Sequence, residues 1–230
     1  MTAADWDRIY QEAEVGRYPS EHVVRFMAQH FYRLPSRKDV RILEVGCGSG
    51  PNVWYLAREG FSATGIDFSR EGITAASSRL AQDGLSADLR VADATKLPFE
   101  DACFDAVIDF ECLSALRQAE AERAIAEAHR VLRPGGIFFS VAFAVGITLE
   151  GDRIEGEPHT YLVRDCPFFL RRFGVHRLTA AEEIPALFRA FADVGFEEVT
   201  RTKRNRDALC RQWLITAQKS PASEAGRRAD

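Results

Sequence analysis

The sequence predicts an α/β fold: a largely parallel sheet covered on both faces by helices. Short, near-continuous apolar runs such as VRILEV, SATGI, FDAVIDF and IFFSVAF alternate along the chain with amphipathic segments. Strands of that kind are buried on both sides, as in parallel sheets. Two of the runs lead into a glycine cluster or an aspartate, where a doubly wound sheet places its ligand contacts. The 230 residues are 46% hydrophobic and 28% charged, which suits one globular domain with a full core.

The elements follow in order. WDRIYQEAEVGRYPSEHVVRFMAQHF reads as two amphipathic helices broken at Pro19 and Ser20, with Val23, Val24, Met27, Ala28 and Phe31 at helical spacing in the second. Val40 to Val45 is a strand running into glycines, and a helix through Val53, Leu56 and Ala57 stops at Gly60. The strand Ser62 to Ile66 ends at Asp67, and Ser69 is placed to cap a helix lasting to about Gln82. Leu89 to Ala92 and Phe104 to Phe110 are strands. Ala119 to Leu132 is a helix halted by Pro134 and two glycines, and Ile137 to Phe143 is the most apolar strand.

The rhythm breaks from Ala144 to Arg177, a stretch mixing glycines and Pro158 with His159, Tyr161, Phe168, Phe169 and Phe173. A connection of that length in a compact domain is usually functional, and its aromatic load suggests an excursion covering a substrate. Thr179 and Glu182 form a capping-box pattern ahead of Ile184, Leu187, Phe188 and Phe191. Phe196 to Thr202 and Leu209 to Ala217 are closing strands, read as an antiparallel pair. The expected organisation is one domain over residues 1–218, with a helical lid at 1–35, the excursion at 144–178, and a disordered tail at 219–230.

Thirty Lys and Arg against thirty-four Asp and Glu give a net charge of −4, so a broadly basic nucleic-acid surface is not expected. Five scattered cysteines without a CxxC pair read as reduced thiols. No signal-peptide pattern opens the chain, and the longest apolar stretch, Ile137 to Ile147, is too short to span a bilayer. A cytoplasmic protein without a membrane partner is expected; a monomer and a homodimer are equally compatible with the sequence.

The most informative stretch is Glu44-Val45-Gly46-Cys47-Gly48-Ser49-Gly50. Alternate glycines after a strand allow a tight turn and bring bare backbone near a ligand, and Pro51 suits the first turn of the following helix. Asp67 ends the next strand, where a carboxylate can hold two vicinal ribose hydroxyls. The dinucleotide fingerprint wants a third glycine where Pro51 stands, no Walker loop occurs, and Asp93 supplies a second acidic strand end whose carboxylate could accept an exocyclic amine.

EVGCGSG, GIDFS, ADATKLPF, FDAVIDF and HRVLRPGGIFF, in this order and spacing, resemble the class I S-adenosylmethionine-dependent methyltransferases. The resemblance covers residues 38–143 strongly and 179–217 more loosely. It implies a Rossmann-like seven-stranded sheet, the last strand antiparallel, with S-adenosylmethionine as cofactor and S-adenosylhomocysteine as product. Gly46, Cys47, Gly48 and Gly50 would line its methionine half, braced by Glu44, with Phe110 and Glu111 beside the amino group. Asp67 would take the ribose hydroxyls, Phe68 and Leu97 would flank the adenine, and Asp93, Ala94 and Thr95 would meet its edge. The lid of similar enzymes would bring Tyr10 and Tyr18 to the cofactor. Where many relatives place a histidine after the fourth strand, this chain has Ser114 and Ala115, so no such role carries over.

A sulfonium methyl is already activated for in-line displacement, so alignment and exclusion of water are the main demands. His159, Tyr161 and His176, in or beside the excursion, are the candidate catalytic residues, and no metal site is expected. The expected acceptor is an O, N, S or C nucleophile of a small metabolite. The aromatic–basic patch of Phe168, Phe169 and Phe173 with Arg164, Arg171 and Arg172 keeps RNA as an alternative, alongside a protein substrate and a non-catalytic S-adenosylmethionine-binding protein.

Overall fold

The computed structural model describes residues 2–12, 16–168 and 174–222. Two helices, α1 (Ala3–Glu12) and α2 (Glu21–His30), precede β1 (Arg41–Val45), α3 (Pro51–Arg58), β2 (Ser62–Asp67), α4 (Arg70–Gln82), β3 (Asp88–Val91) and β4 (Phe104–Phe110). After the 3-10 turn Leu113–Ala115 come α5 (Gln118–Val131) and β5 (Leu132–Phe143). The short strands β6 (Glu150–Arg153), β7 (Thr160–Asp165) and β8 (Gly174–Arg177) follow, then α6 (Ile184–Leu187), β9 (Asp193–Lys203) and β10 (Ala208–Gln218).

Seven strands form one sheet in the order β3-β2-β1-β4-β5-β10-β9. Strands β1 to β5 run parallel; β10 is antiparallel to both β5 and β9, so β9 points the same way as the rest. Alternation along each strand sorts its side chains to opposite faces. Leu43, Val45, Val107 and Phe138 face a core made with α5 and α6, while Ile42, Ala106, Ile108 and Phe139 face α2 and α3. Phe26 of α2 stacks on Phe139 with centroids 4.5 Å apart. The predicted seven-stranded, two-faced sheet is the observed one.

Two local expectations change. The stretch after Phe143 is ordered β-structure: β6, β7 and β8 form a three-stranded antiparallel sheet with a small core of Phe143, Ile147, Val163, Cys166, Leu178 and Cys210. Its strands are four to six residues long and interrupted by glycines, too short for their period to stand out. The helix expected after Thr179 shrinks to a single turn capped one residue later, where the Ala180 N–H donates to Glu183 at 2.8 Å. Thr179 is held extended instead, because its N–H donates to the Phe143 carbonyl and its own carbonyl accepts from the Trp213 indole. In the aromatic–basic patch, Phe169, Arg171, Arg172 and Phe173 lie outside the described residues; Arg164 pairs with Asp152, and Lys203 sits over the Phe168 ring.

Lys219, the first residue of the expected tail, caps α5. Its Nζ donates to the carbonyls of His129 and Leu132, both at 2.7 Å. A cation bonding the free carbonyls at a helix C-terminus is favoured by the helix dipole. Lys219→Met is therefore expected to cost about 1–2 kcal/mol, read as a fall in thermal midpoint of about 2–8 °C; an unchanged midpoint would remove this role.

Candidate active site

Chain order reverses between β1 and β4, so a crevice opens at their carboxyl ends. All three glycines of the loop have left-handed backbone, Gly46 at φ 67, Gly48 at φ 53 and Gly50 at φ 74. Space adds a second constraint. A Cβ on Gly46 would lie 2.5 Å from Cys112 Sγ, and one on Gly48 would run into the Tyr10 hydroxyl.

Asp67 organises this loop. Its Oδ2 accepts from the Gly48 N–H at 2.9 Å and its Oδ1 from the Ser69 N–H at 2.8 Å. Burial raises its pKa against these bonds. Each carboxylate oxygen keeps a lone pair for a further donor. Ser69 in turn caps α4 through the Gly72 N–H.

Glu44 lies on the other side of the loop, 2% exposed. Its Oε1 accepts from the Asn52 amide at 2.7 Å, while Oε2 is buried with no partner among the described residues. Burial, aided by the neighbouring Asp109, pushes its pKa up to about 8. An orphaned carboxylate oxygen beside a glycine cradle fits a cationic amine.

Several residues around the crevice were not singled out from sequence. Asn52 also accepts the Ser20 N–H at 2.8 Å, linking the start of α2 to Glu44. Arg79 donates to the carbonyls of Ser49, Arg17 and Gly16, tying the loop to the α1–α2 connection. Asp7 accepts from the Ser69 hydroxyl and the Glu71 N–H at the start of α4. These contacts seat α1 so that Tyr10 lies against Gly48 and Gly72. Burial and the adjacent Asp67 drive the Tyr10 phenol upward, keeping it neutral. Its companion Tyr18 is 77% exposed.

On the adenine side, the exposed Asp93 folds back on the Thr95 N–H at 2.8 Å, setting the turn that carries Ala94. Phe68 is 37% exposed beside the end of β2; Leu97 is buried in the main core and its N–H donates to Glu127. Cys47 is buried, with its thiol under the loop toward Gly65, and Phe110 packs against the α2–α3 core.

At the end of β4, Asp109 accepts from the Leu113 N–H and the Ser140 hydroxyl, at 3.0 and 2.6 Å. Burial raises its pKa to about 6. Glu111, two residues on, has φ 65, and its N–H donates to the Val141 carbonyl. Its Oε1 accepts from the Gln212 amide at 2.7 Å, and burial raises its pKa to about 7 against the opposing Arg201. A glutamine on the inward side of an apolar strand was the sequence signal for this pairing.

Of the three candidate catalytic residues, His176 is half-buried on β8 beside the Phe143 ring, 6.3 Å between centroids. Burial lowers its pKa to about 4, so it is neutral near pH 7. Strand β8 lies against the Leu113–Ala115 turn, which brings this small sheet to the carboxyl edge. Tyr161 pairs with His176 across β7 and β8. His159 is in the turn before β7 at φ 58, its carbonyl accepting the Leu178 N–H.

Comparison with known proteins agrees with this geometry. The family model described as "Methyltransferase domain" matches residues 42–136. An S-adenosylmethionine-dependent methyltransferase of Methanosarcina mazei superposes with a TM-score of 0.71 at 28% identity, covering 84% of this chain and 97% of that one. These matches support a class I S-adenosylmethionine-dependent methyltransferase. Among curated relatives of this chain, a fatty-acid O-methyltransferase of Mycolicibacterium smegmatis is 38% identical, over 52% of this chain and 44% of that protein. A ubiquinone biosynthesis O-methyltransferase of Chelativorans sp. is 28% identical, over 81% and 72%. The chain spans less than half the length of several curated relatives it matches, 44% for the fatty-acid O-methyltransferase and 42% for an uncharacterized protein of Haemophilus influenzae. Among the described residues, no helix is long and apolar enough to cross a membrane.

Proposed function

We propose that this protein transfers the methyl group of S-adenosylmethionine to a nucleophile of a small molecule. The observation that carries the reading is the pair of buried carboxylates bracketing the glycine loop, Asp67 bonded to the loop and Glu44 with an unpartnered oxygen. Asp67 takes the ribose hydroxyls, Glu44 Oε2 receives the methionine ammonium, and Asp93 with the Ala94 N–H and Thr95 meets the adenine edge beside Phe68. Tyr10 covers the cofactor from α1.

The bound cofactor supplies an activated methyl, so this chain's residues have to align the acceptor and exclude water. The small sheet at the carboxyl edge is suited to the acceptor side, where His176, Tyr161 and Phe143 combine an apolar wall with polar groups. The names of two relatives, both O-methyltransferases, support an oxygen acceptor of metabolite size.

The test is methyl transfer from labelled S-adenosylmethionine into separate pools of metabolites, RNA and protein. Label is expected in the low-molecular-weight pool. Label confined to RNA or to protein would overturn the small-molecule reading, and cofactor binding with no transfer to any pool would favour a non-catalytic protein.

A further inference from the structure

We propose that Glu111 is the proton acceptor of the methyl transfer, a carboxylate aimed by Gln212 and, through it, by Arg201, and that the acceptor group is accordingly a hydroxyl. The inference rests on the methyltransferase reading and goes beyond it, because sequence resemblance puts Glu111 beside the amino group of the cofactor.

Geometry carries the assignment. Glu111 begins the segment after β4, at the crevice where chain order reverses and next to Cys112, which touches Gly46. Its left-handed backbone, φ 65, costs roughly 1 kcal/mol or more for a residue with a Cβ. That conformation is held from both sides, by the Glu111 N–H on Val141 and by Asp109 gripping the Leu113 N–H. Strained backbone held this firmly marks a residue whose direction matters.

The side chain is equally constrained. Gln212, 2% exposed on β10, donates to Oε1 at 2.7 Å, and its own carbonyl oxygen accepts from the Arg201 guanidinium at 3.2 Å. Strands β9 and β10 thus contribute one residue each to a chain ending on Glu111. Oε2 has no donor among the described residues, leaving one oxygen to take a proton. The other titratable groups acting on it are Asp109 on β4, Arg201 on β9 and Cys210 on β10.

A base is needed when the acceptor keeps its proton until attack, as a hydroxyl does and a neutral amine need not. In the step, the acceptor oxygen bonds to the methyl carbon while the carbon–sulfur bond breaks and its electron pair passes to sulfur. The hydroxyl proton goes to Glu111 Oε2. A sulfonium and a carboxylate become a neutral thioether and a carboxylic acid, so the charge pair present before the step is gone after it. Such annihilation is favoured in a low-dielectric site.

The test needs no knowledge of the acceptor. Only the donor carries the sulfonium charge, whereas donor and product both carry the ammonium facing Glu44. Proton release on binding, measured by calorimetry in buffers of different ionisation enthalpy, should be larger for S-adenosylmethionine than for S-adenosylhomocysteine, by up to about half a proton near pH 7. Glu111→Gln should abolish the difference, weaken S-adenosylmethionine by about fivefold or more as the lost sulfonium–carboxylate attraction requires, and keep S-adenosylhomocysteine within about threefold. Gln212→Leu, which leaves Glu111 in place, should move the pH of the largest difference upward. Equal release for the two ligands in the wild type, a difference persisting in E111Q, no shift in Q212L, or a loss of both affinities beyond tenfold in E111Q would overturn the proposal. If the wild type bound neither ligand, the methyltransferase reading would fail as well, a result distinct from binding with equal release.

Discussion

Asp67→Ala is expected to weaken S-adenosylmethionine binding by at least tenfold, with the fold retained. Hydrogen bonds to a charged group contribute about 1.5–3 kcal/mol, and each 1.4 kcal/mol is a factor of ten. The carboxylate acts twice in this structure, because the same oxygens that would face the ribose accept the Gly48 and Ser69 N–H groups. Removing them leaves two buried donors without acceptors and loosens the glycine loop before any ligand arrives. Asp67→Asn should fall between, since an amide has one oxygen and can satisfy only one of the two donors. Calorimetry gives the affinities, and thermal denaturation without ligand isolates the loop contribution. Unchanged affinity in folded D67A would sink the ribose assignment.

Glu44 should make cofactor binding depend on pH in a definite direction. Its carboxyl, raised from 4.5 to about 8 by burial, is largely protonated at pH 7 in the free protein. A cationic ammonium beside Oε2 favours the carboxylate, so binding below pH 8 releases a proton and affinity rises with pH toward 8, by up to about tenfold per unit. Glu44→Gln should bind more weakly and lose this slope. The sign for the free protein is opposite. A neutral acid buried in the fold stabilises fully below pH 4.5, and the contribution is lost as the pH climbs through about 8. Isothermal titration and thermal midpoints across pH 5–9 check both limbs. A flat affinity profile in the wild type would remove Glu44 from the ammonium site.

The two carboxylates illustrate how legible the site was. Asp67 and Glu44 stand next to glycines at strand ends, and a strand end is a local property that apolar runs and turn residues encode within a few positions. The chemistry around them was less legible. Asn52 joins Glu44 to Ser20, and Arg79 joins Ser49 to Gly16 and Arg17. These partners are remote in sequence, and no period or spacing connects them. Gln212 meets Glu111 across 101 positions, because β10 inserts beside β5.

Local sequence was sufficient for the individual strands, for the helices between them, for the capping of α4 by Ser69 and for the glycine loop, since each depends on neighbours within one turn or one strand. Packing alone decided the rest. It drew the glycine-rich stretch after Phe143 into a three-stranded sheet and confined the helix after Thr179 to one turn. It placed Tyr10 in the crevice while leaving Tyr18 in solvent, and it pointed Gln212 at Glu111. In each case the deciding energy is a hydrogen bond or a buried contact to a residue far along the chain. Such a bond exists only once the sheet has brought the two together.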